Sequence, residues 1–235
     1  MSIRNIIAGS RNAASKYFFF IMALAGIISM TSCSESDEEE EFANWQSKNE
    51  SYFTQIYTQA ETAIKSGDNS WKIIPVYSKD ATAAKYMSDY IVAHVETEGT
   101  GTESPIYSDQ VRVHYRGNFI PSKSHSNGFQ FDSSWSGTYN LKTMTPKEFF
   151  VGVTVTNNVA TTLITGFSTA LMNMHKGDRW TVYVPYNLAY GTSDYTPKDS
   201  QGNVTGSTIP AYSMLKFDLT LIDFIHKGES FPTFQ

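Results

Sequence analysis

A single cysteine, Cys33, occurs in the 235 residues, so no internal disulfide can form and the fold has to rest on its core. Long apolar runs are also missing. The stretch from Tyr17 to Ile28 covers about a dozen residues, too few to cross a bilayer comfortably. Charge is sparse and leans acidic, with 18 Lys and Arg against 23 Asp and Glu. No glycine-rich phosphate loop is present. The five histidines (His94, His114, His125, His175 and His226) lack metal-ligand spacing and read as structural or exposed. Asp194 and Asp199 lie in a glycine-containing loop without the spacing of an EF-hand. Neither a metal nor a cofactor is expected.

What is present begins with a leader. Arg4, Arg11 and Lys16 form a basic region ahead of the Tyr17 to Ile28 run, and Met30-Thr31-Ser32 precedes Cys33. This pattern resembles a bacterial lipoprotein signal of residues 1–32, in which the cysteine is lipidated and becomes the new N-terminus. The alternative is an ordinary signal peptide with an unrelated thiol. Removing the leader leaves 15 basic against 23 acidic residues, net −8. That balance disfavours nucleic acid or an anionic membrane surface as partner, so membrane contact is expected only through the lipid anchor. Residues 33–43 carry Ser34-Glu35-Ser36-Asp37 and the run Glu38 to Glu41. They read as a solvated, self-repelling tether, and also resemble the acidic export signals of Bacteroidetes surface lipoproteins. The expected location is the cell envelope outside the cytoplasm, at the outer membrane.

Residues 44–87 read as a helical extension. Trp45, Tyr52, Phe53, Ile56, Ala60, Ala63 and Ile64 fall at helical spacing from Asn44 to Lys65, with Gly67 as a stop. Trp71 to Tyr77 reads as a short strand, confined to a sheet edge by Pro75. Strand patterns follow at Tyr90 to Val95, Val111 to Tyr115, Arg179 to Val184 and Leu215 to Ile225. Between them, Ala160 to Met174 has helical spacing. The sum is an α+β layer arrangement, an antiparallel sheet with one short helix against it.

A series of motifs runs through residues 88–228. Val111-Arg112-Val113-His114-Tyr115-Arg116-Gly117 is followed by Phe131-Asp132-Ser133-Ser134, Phe149-Phe150-Val151-Gly152 and Leu163-Ile164-Thr165-Gly166-Phe167. Met174-His175-Lys176-Gly177-Asp178-Arg179, Tyr186-Asn187-Leu188-Ala189-Tyr190-Gly191, Ile209-Pro210 and Leu215 to Leu219 complete the order. Each motif is weak alone. In this order and spacing they resemble the FKBP-type peptidyl-prolyl cis-trans isomerases.

The resemblance implies a five- to six-stranded antiparallel half-barrel wrapped on a short helix, here with an extra N-terminal helix and a tail at 229–235. It implies a pocket between helix and sheet. Tyr115, Asp132, Phe167, Tyr190 and Phe217 would carry the catalysis, and Phe131, Leu163, Ile164 and Ile209 would bind substrate. Tyr190 would donate to a peptide carbonyl, and Asp132 would sit at the rim and orient the tyrosine. Partners would be proline-containing polypeptides and macrolide ligands. An isomerase and a proline-binding module without turnover are both consistent with these residues.

Three departures stand out. Phe167 occupies the place of the usual floor tryptophan, Lys147 that of a common pocket aromatic, and polar inserts lengthen the Gly117 to Phe131 and Tyr190 to Ile209 loops. Gly166-Phe167-Ser168-Thr169-Ala170 also resembles a degraded nucleophile elbow. A hydrolase is not expected, because Asn157 to Ile164 ahead of it is no core strand and Ala170 replaces the last glycine.

Overall fold

The computed structural model describes residues 41–141, 143–156, 159–161 and 163–233, of which 154–156 and 159–161 as backbone only. Cys33, the leader and residues 33–40 of the tether lie outside the described residues.

The first helix, α1 (Trp45–Lys65), buries Trp45, Asn49, Phe53 and Ala60 along one face, the spacing that a 3.6-residue period puts on a single stripe. It stops at Gly67, whose φ of 87° closes the last turn: Gly67 and Asp68 donate back to the carbonyls of Ile64 and Ala63. The expected tether does not run free to residue 43. The Glu41 carboxylate accepts from Ser122 Oγ and the Ser124 amide, and the Phe42 ring packs edge-on against Trp45.

Among the described residues nine strands follow: β1 (Trp71–Pro75), β2 (Tyr90–Thr97), β3 (Gln110–Asn118), β4 (Gln130–Ser133), β5 (Lys147–Phe150), β6 (Thr154–Thr156), β7 (Val159–Thr161), β8 (Arg179–Val184) and β9 (Leu215–Ile225). Seven of them form one sheet in the order β1-β2-β8-β9-β3-β4, with β5 also on β3. All its pairings are antiparallel. The strand beyond the expected five to six is β1, supplied by the N-terminal extension. Pro75 ends it at the sheet edge, where its missing N–H breaks no ladder. β6 and β7 form a separate hairpin.

The second helix, α2 (Thr165–Leu171), is shorter than the spacing from Ala160 to Met174 predicts. Ala160 belongs to β7, Ile164 is extended at φ −60° and ψ 144°, and Met174 is buried in the turn that follows. Ile164 is partly buried and Met174 buried without either being helical, so the helical apolar period overran the helix. Gly166 lets α2 approach the sheet, since a Cβ there would lie 2.3 Å from Val184 Cγ1. Trp45 and Phe53 of α1, Phe167 and Leu171 of α2, and the inner faces of β2, β3, β8 and β9 join one hydrophobic core. Burial of this continuous apolar surface is the main stabilising term.

Candidate functional site

Strand β3 lies between β9 on one side and β4 and β5 on the other. Side chains two apart on a strand share a face, so Tyr115 and Gly117 both point towards the concave side. Opposite Gly117 stands Phe217 of β9. The absence of a side chain at Gly117 makes room for Phe131, because a Cβ would lie 2.4 Å from Phe131 Cζ and 3.0 Å from Phe217 Cε1.

Phe167 reaches this corner from α2. Its ring meets Phe217 edge-on at 5.1 Å, Tyr115 at 5.9 Å and Phe149 at 6.4 Å between centroids. Phe131 stands edge-on to Phe217 at 5.9 Å. These separations and near-perpendicular angles suit the attraction between ring edges and faces. The Tyr115 hydroxyl donates to Asp132 Oδ2 at 2.6 Å, and the Ser133 amide donates to Asp132 Oδ1 at 2.8 Å. Burial, and then this bond to a carboxylate, push the Tyr115 pKa well above the ordinary tyrosine value. Asp132 therefore orients Tyr115, where the resemblance implies that it orients Tyr190.

Beside the aromatic corner opens a cavity of about 330 Å³ lined by Phe131, Asp132, Tyr190 and Ile209. Tyr195, Pro197 and the segment Thr205 to Ser207 line the remainder. They come from the polar insert, which folds back on itself: Tyr195 pairs with Ile209 and Lys198 with Val204. Asp199 caps its tip by accepting from the amides of Gln201 and Asn203. Tyr195 stacks on Tyr190 with centroids 4.1 Å apart and planes 16° from parallel. Desolvation raises the Tyr190 pKa to about 12, with contributions from Tyr195 and the Asp132 carboxylate.

Four of the nine expected pocket residues, Phe131, Asp132, Tyr190 and Ile209, thus line the cavity. Tyr115, Phe167 and Phe217 are buried and form the packed base behind it. Leu163 and Ile164 are partly buried against the core and do not line it. Lys147 shares the inner face of β5 with Phe149 but is exposed. Phe149 supplies the aromatic contact, at 5.7 Å from the Tyr115 ring. The sequence offered Phe149 within its motif but gave no reason to prefer it. Tyr195, Pro197 and Phe119, which stacks on Phe131 at 5.1 Å, carried no motif.

Ser168 of the elbow-like segment sits inside α2, buried, and donates to the Val151 carbonyl at 2.6 Å. Among the described residues no histidine partners it, and it is a structural hydroxyl.

The chain is 32% identical over 147 residues to "Macrophage infectivity potentiator" of Trypanosoma cruzi, covering 63% of this chain and 59% of that protein. It is 32% identical over 121 residues to "FKBP-type 22 kDa peptidyl-prolyl cis-trans isomerase" of Escherichia coli K12, covering 52% of this chain and 44% of that one. Less than two thirds of either relative's length is therefore spanned. Among solved structures, FkpA from Escherichia coli superposes with a TM-score of 0.45 at 23% identity, over 92% of this chain and 74% of that one. Residues 101–222 match the model of the FKBP-type peptidyl-prolyl cis-trans isomerases, and with more than half its length so matched the chain belongs to that family.

Proposed function

We propose that this chain isomerises X-Pro peptide bonds in polypeptides outside the cytoplasm, held in the cell envelope by a lipid on Cys33. The observation that carries the catalytic reading is the Tyr115–Asp132 hydrogen bond of 2.6 Å at an aromatic corner, beside a cavity of proline-admitting size. The envelope reading is supported by the leader residues Arg4 to Ser32 and their cysteine.

Rotation about a peptide bond faces a barrier of about 18–20 kcal/mol because resonance stiffens the planar amide. Uncatalysed X-Pro exchange takes on the order of tens to hundreds of seconds. No bond is made or broken, so neither a nucleophile nor a metal is called for. The site has only to prefer the twisted amide over both planar forms. Twisting removes the resonance and lowers the amide's polarity. Phe131 and Ile209 would hold the proline ring in apolar surroundings, where the less dipolar form is favoured relative to water. The Tyr190 hydroxyl would donate to a peptide carbonyl. Asp132, fixed by Tyr115 and the Ser133 amide, would face the polar edge of the substrate. About 4 kcal/mol gained at the twisted state would accelerate exchange about a thousandfold.

The test is cis–trans exchange of a proline peptide measured by protease coupling, with the full chain. Acceleration over background supports the reading; none, with a macrolide ligand still bound, identifies a binding module instead. Asp132→Ala leaves the buried Tyr115 hydroxyl without its partner, a loss of about 1–3 kcal/mol. The expected result is a fall in kcat/KM of roughly tenfold or more; unchanged kinetics would remove Asp132 from the mechanism.

The pH profile follows from Tyr190. An ordinary tyrosine loses its proton near pH 10 (about 10 in model peptides), whereas Tyr190, raised to about 12, stays a donor beyond that. Activity should therefore hold level from neutral pH to about pH 11. A decline centred on pH 10 that disappears in Tyr190→Phe would contradict this assignment.

A further inference from the structure

We propose that Trp45, on α1 and outside the family-matched segment, is a positioning residue that holds both walls of the proline cavity; this rests on the isomerase reading above.

One wall is reached through the indole N–H. Trp45 Nε1 donates to Ser213 Oγ at 2.8 Å in a buried bond, and Ser213 Oγ donates to the Pro210 carbonyl at 2.7 Å. Pro210 follows Ile209, a lining residue of the cavity. One helical turn along, the Asn49 side chain accepts from the Met214 amide at 2.8 Å and donates to the Trp45 carbonyl at 2.7 Å. The 210–214 turn is thus clamped to α1 at two points. It also contains Tyr212, at φ 62°, a left-handed conformation disfavoured for any side chain other than glycine. The Tyr212 amide donates to the Gly191 carbonyl at 2.9 Å, directly after Tyr190. A strained turn persists only where its surroundings hold it, and here those surroundings include α1.

The other wall is reached through the indole ring. Trp45 stands edge-on to Phe119 at 6.2 Å, with Phe42 against both rings. Phe119 stacks on Phe131 at 5.1 Å with planes 23° apart, and Phe131 lines the cavity beside Asp132. One buried side chain therefore reaches the Pro210 carbonyl, next to Ile209, through hydrogen bonds and reaches Phe131 through the Phe119 ring. Positions held by such supporting contacts decide whether a site keeps its productive geometry.

The experiment compares full-chain variants by kcat/KM on a proline peptide and by Kd for a macrolide ligand, well below each Tm. Trp45→Ala should lose about tenfold in both, since displacements on the order of 1 Å at a site cost that much or more. Phe53→Ala, buried further along α1, is the control: it should lower Tm comparably and leave both readouts near wild type. If Trp45→Ala does not fold, Trp45→Phe and Ser213→Ala decide the matter: the first removes the indole N–H while keeping a ring against Phe119, and the second removes the hydroxyl that joins Trp45 to the Pro210 carbonyl. Both should weaken ligand affinity, and the double variant should be no weaker than Ser213→Ala alone, because that hydroxyl carries both links of the path. A Trp45→Ala, or a Trp45→Phe with Ser213→Ala, that loses stability but keeps wild-type kcat/KM and Kd overturns the inference alone. A wild-type chain with neither turnover nor macrolide binding sinks the isomerase reading and this inference with it.

Discussion

Phe167→Ala should remove proline-peptide turnover and lower Tm by about 10 °C or more. The ring is 4% exposed and contacts Tyr115, Phe149 and Phe217 at once. Truncating a buried phenylalanine to alanine costs about 3–5 kcal/mol, from lost apolar burial and from the cavity left behind. Against a typical total of about 5–15 kcal/mol, that is a large share of the fold's stability. Loss of activity through unfolding and loss through a missing floor have to be separated. Phe167→Leu does so, because it keeps most of the apolar volume while deleting three edge-to-face contacts of about 0.5–1.5 kcal/mol each. It should fold and still lose at least about tenfold in kcat/KM, since Tyr115 and Phe217 then lack the ring that sets their angles. A Phe167→Leu chain with wild-type kcat/KM would take the ring out of the mechanism and leave it a core residue.

Much of the fold was legible because its signals are local. The strand from Leu215 to Ile225 alternates in polarity from Leu215 to Leu221, is apolar-rich beyond, and appears with those bounds. Pro75 marks an edge because it cannot donate, and Gly67 ends a helix because it can take a positive φ. The error at α2 has the opposite character. Beyond the ends of Thr165 to Leu171 the apolar spacing continues through Ile164, extended and partly buried, and Met174, buried, and periodicity cannot separate burial from helicity over one or two turns. At the site, Tyr115, Asp132 and Phe167 were legible only as an ordered family pattern. Leu163 and Ile164 followed the same pattern yet pack on the core rather than the cavity. Tyr195, Pro197 and Phe119 were invisible because their roles depend on where an insert folds back and on which ring lies beneath which. Trp45 illustrates this most plainly: its partner Ser213 is 168 residues away.

Gly117→Ala should close the site while sparing most of the fold. The added methyl would stand 2.4 Å from Phe131 Cζ and 2.7 Å from its Cε2, well inside contact distance for carbon atoms (about 3.5–4.0 Å). Phe131 has little freedom to yield, because Phe119 stacks on it and Phe217 meets it edge-on. Relief therefore displaces the cavity wall or disturbs its base, at about 1–3 kcal/mol for an overpacked interior. The expected outcome is a modest fall in Tm together with a loss of macrolide affinity and kcat/KM of about tenfold or more, the profile of a lesion centred on the site. Combining Gly117→Ala with Phe131→Leu tests the cause, because shortening the ring removes the clash. The pair should recover the Tm lost by Gly117→Ala yet remain weak in ligand binding, since Phe131 itself is part of the wall. Strictly additive losses would mean that the two side chains do not compete for the same space. In that case the room above Gly117 would not be what shapes the cavity.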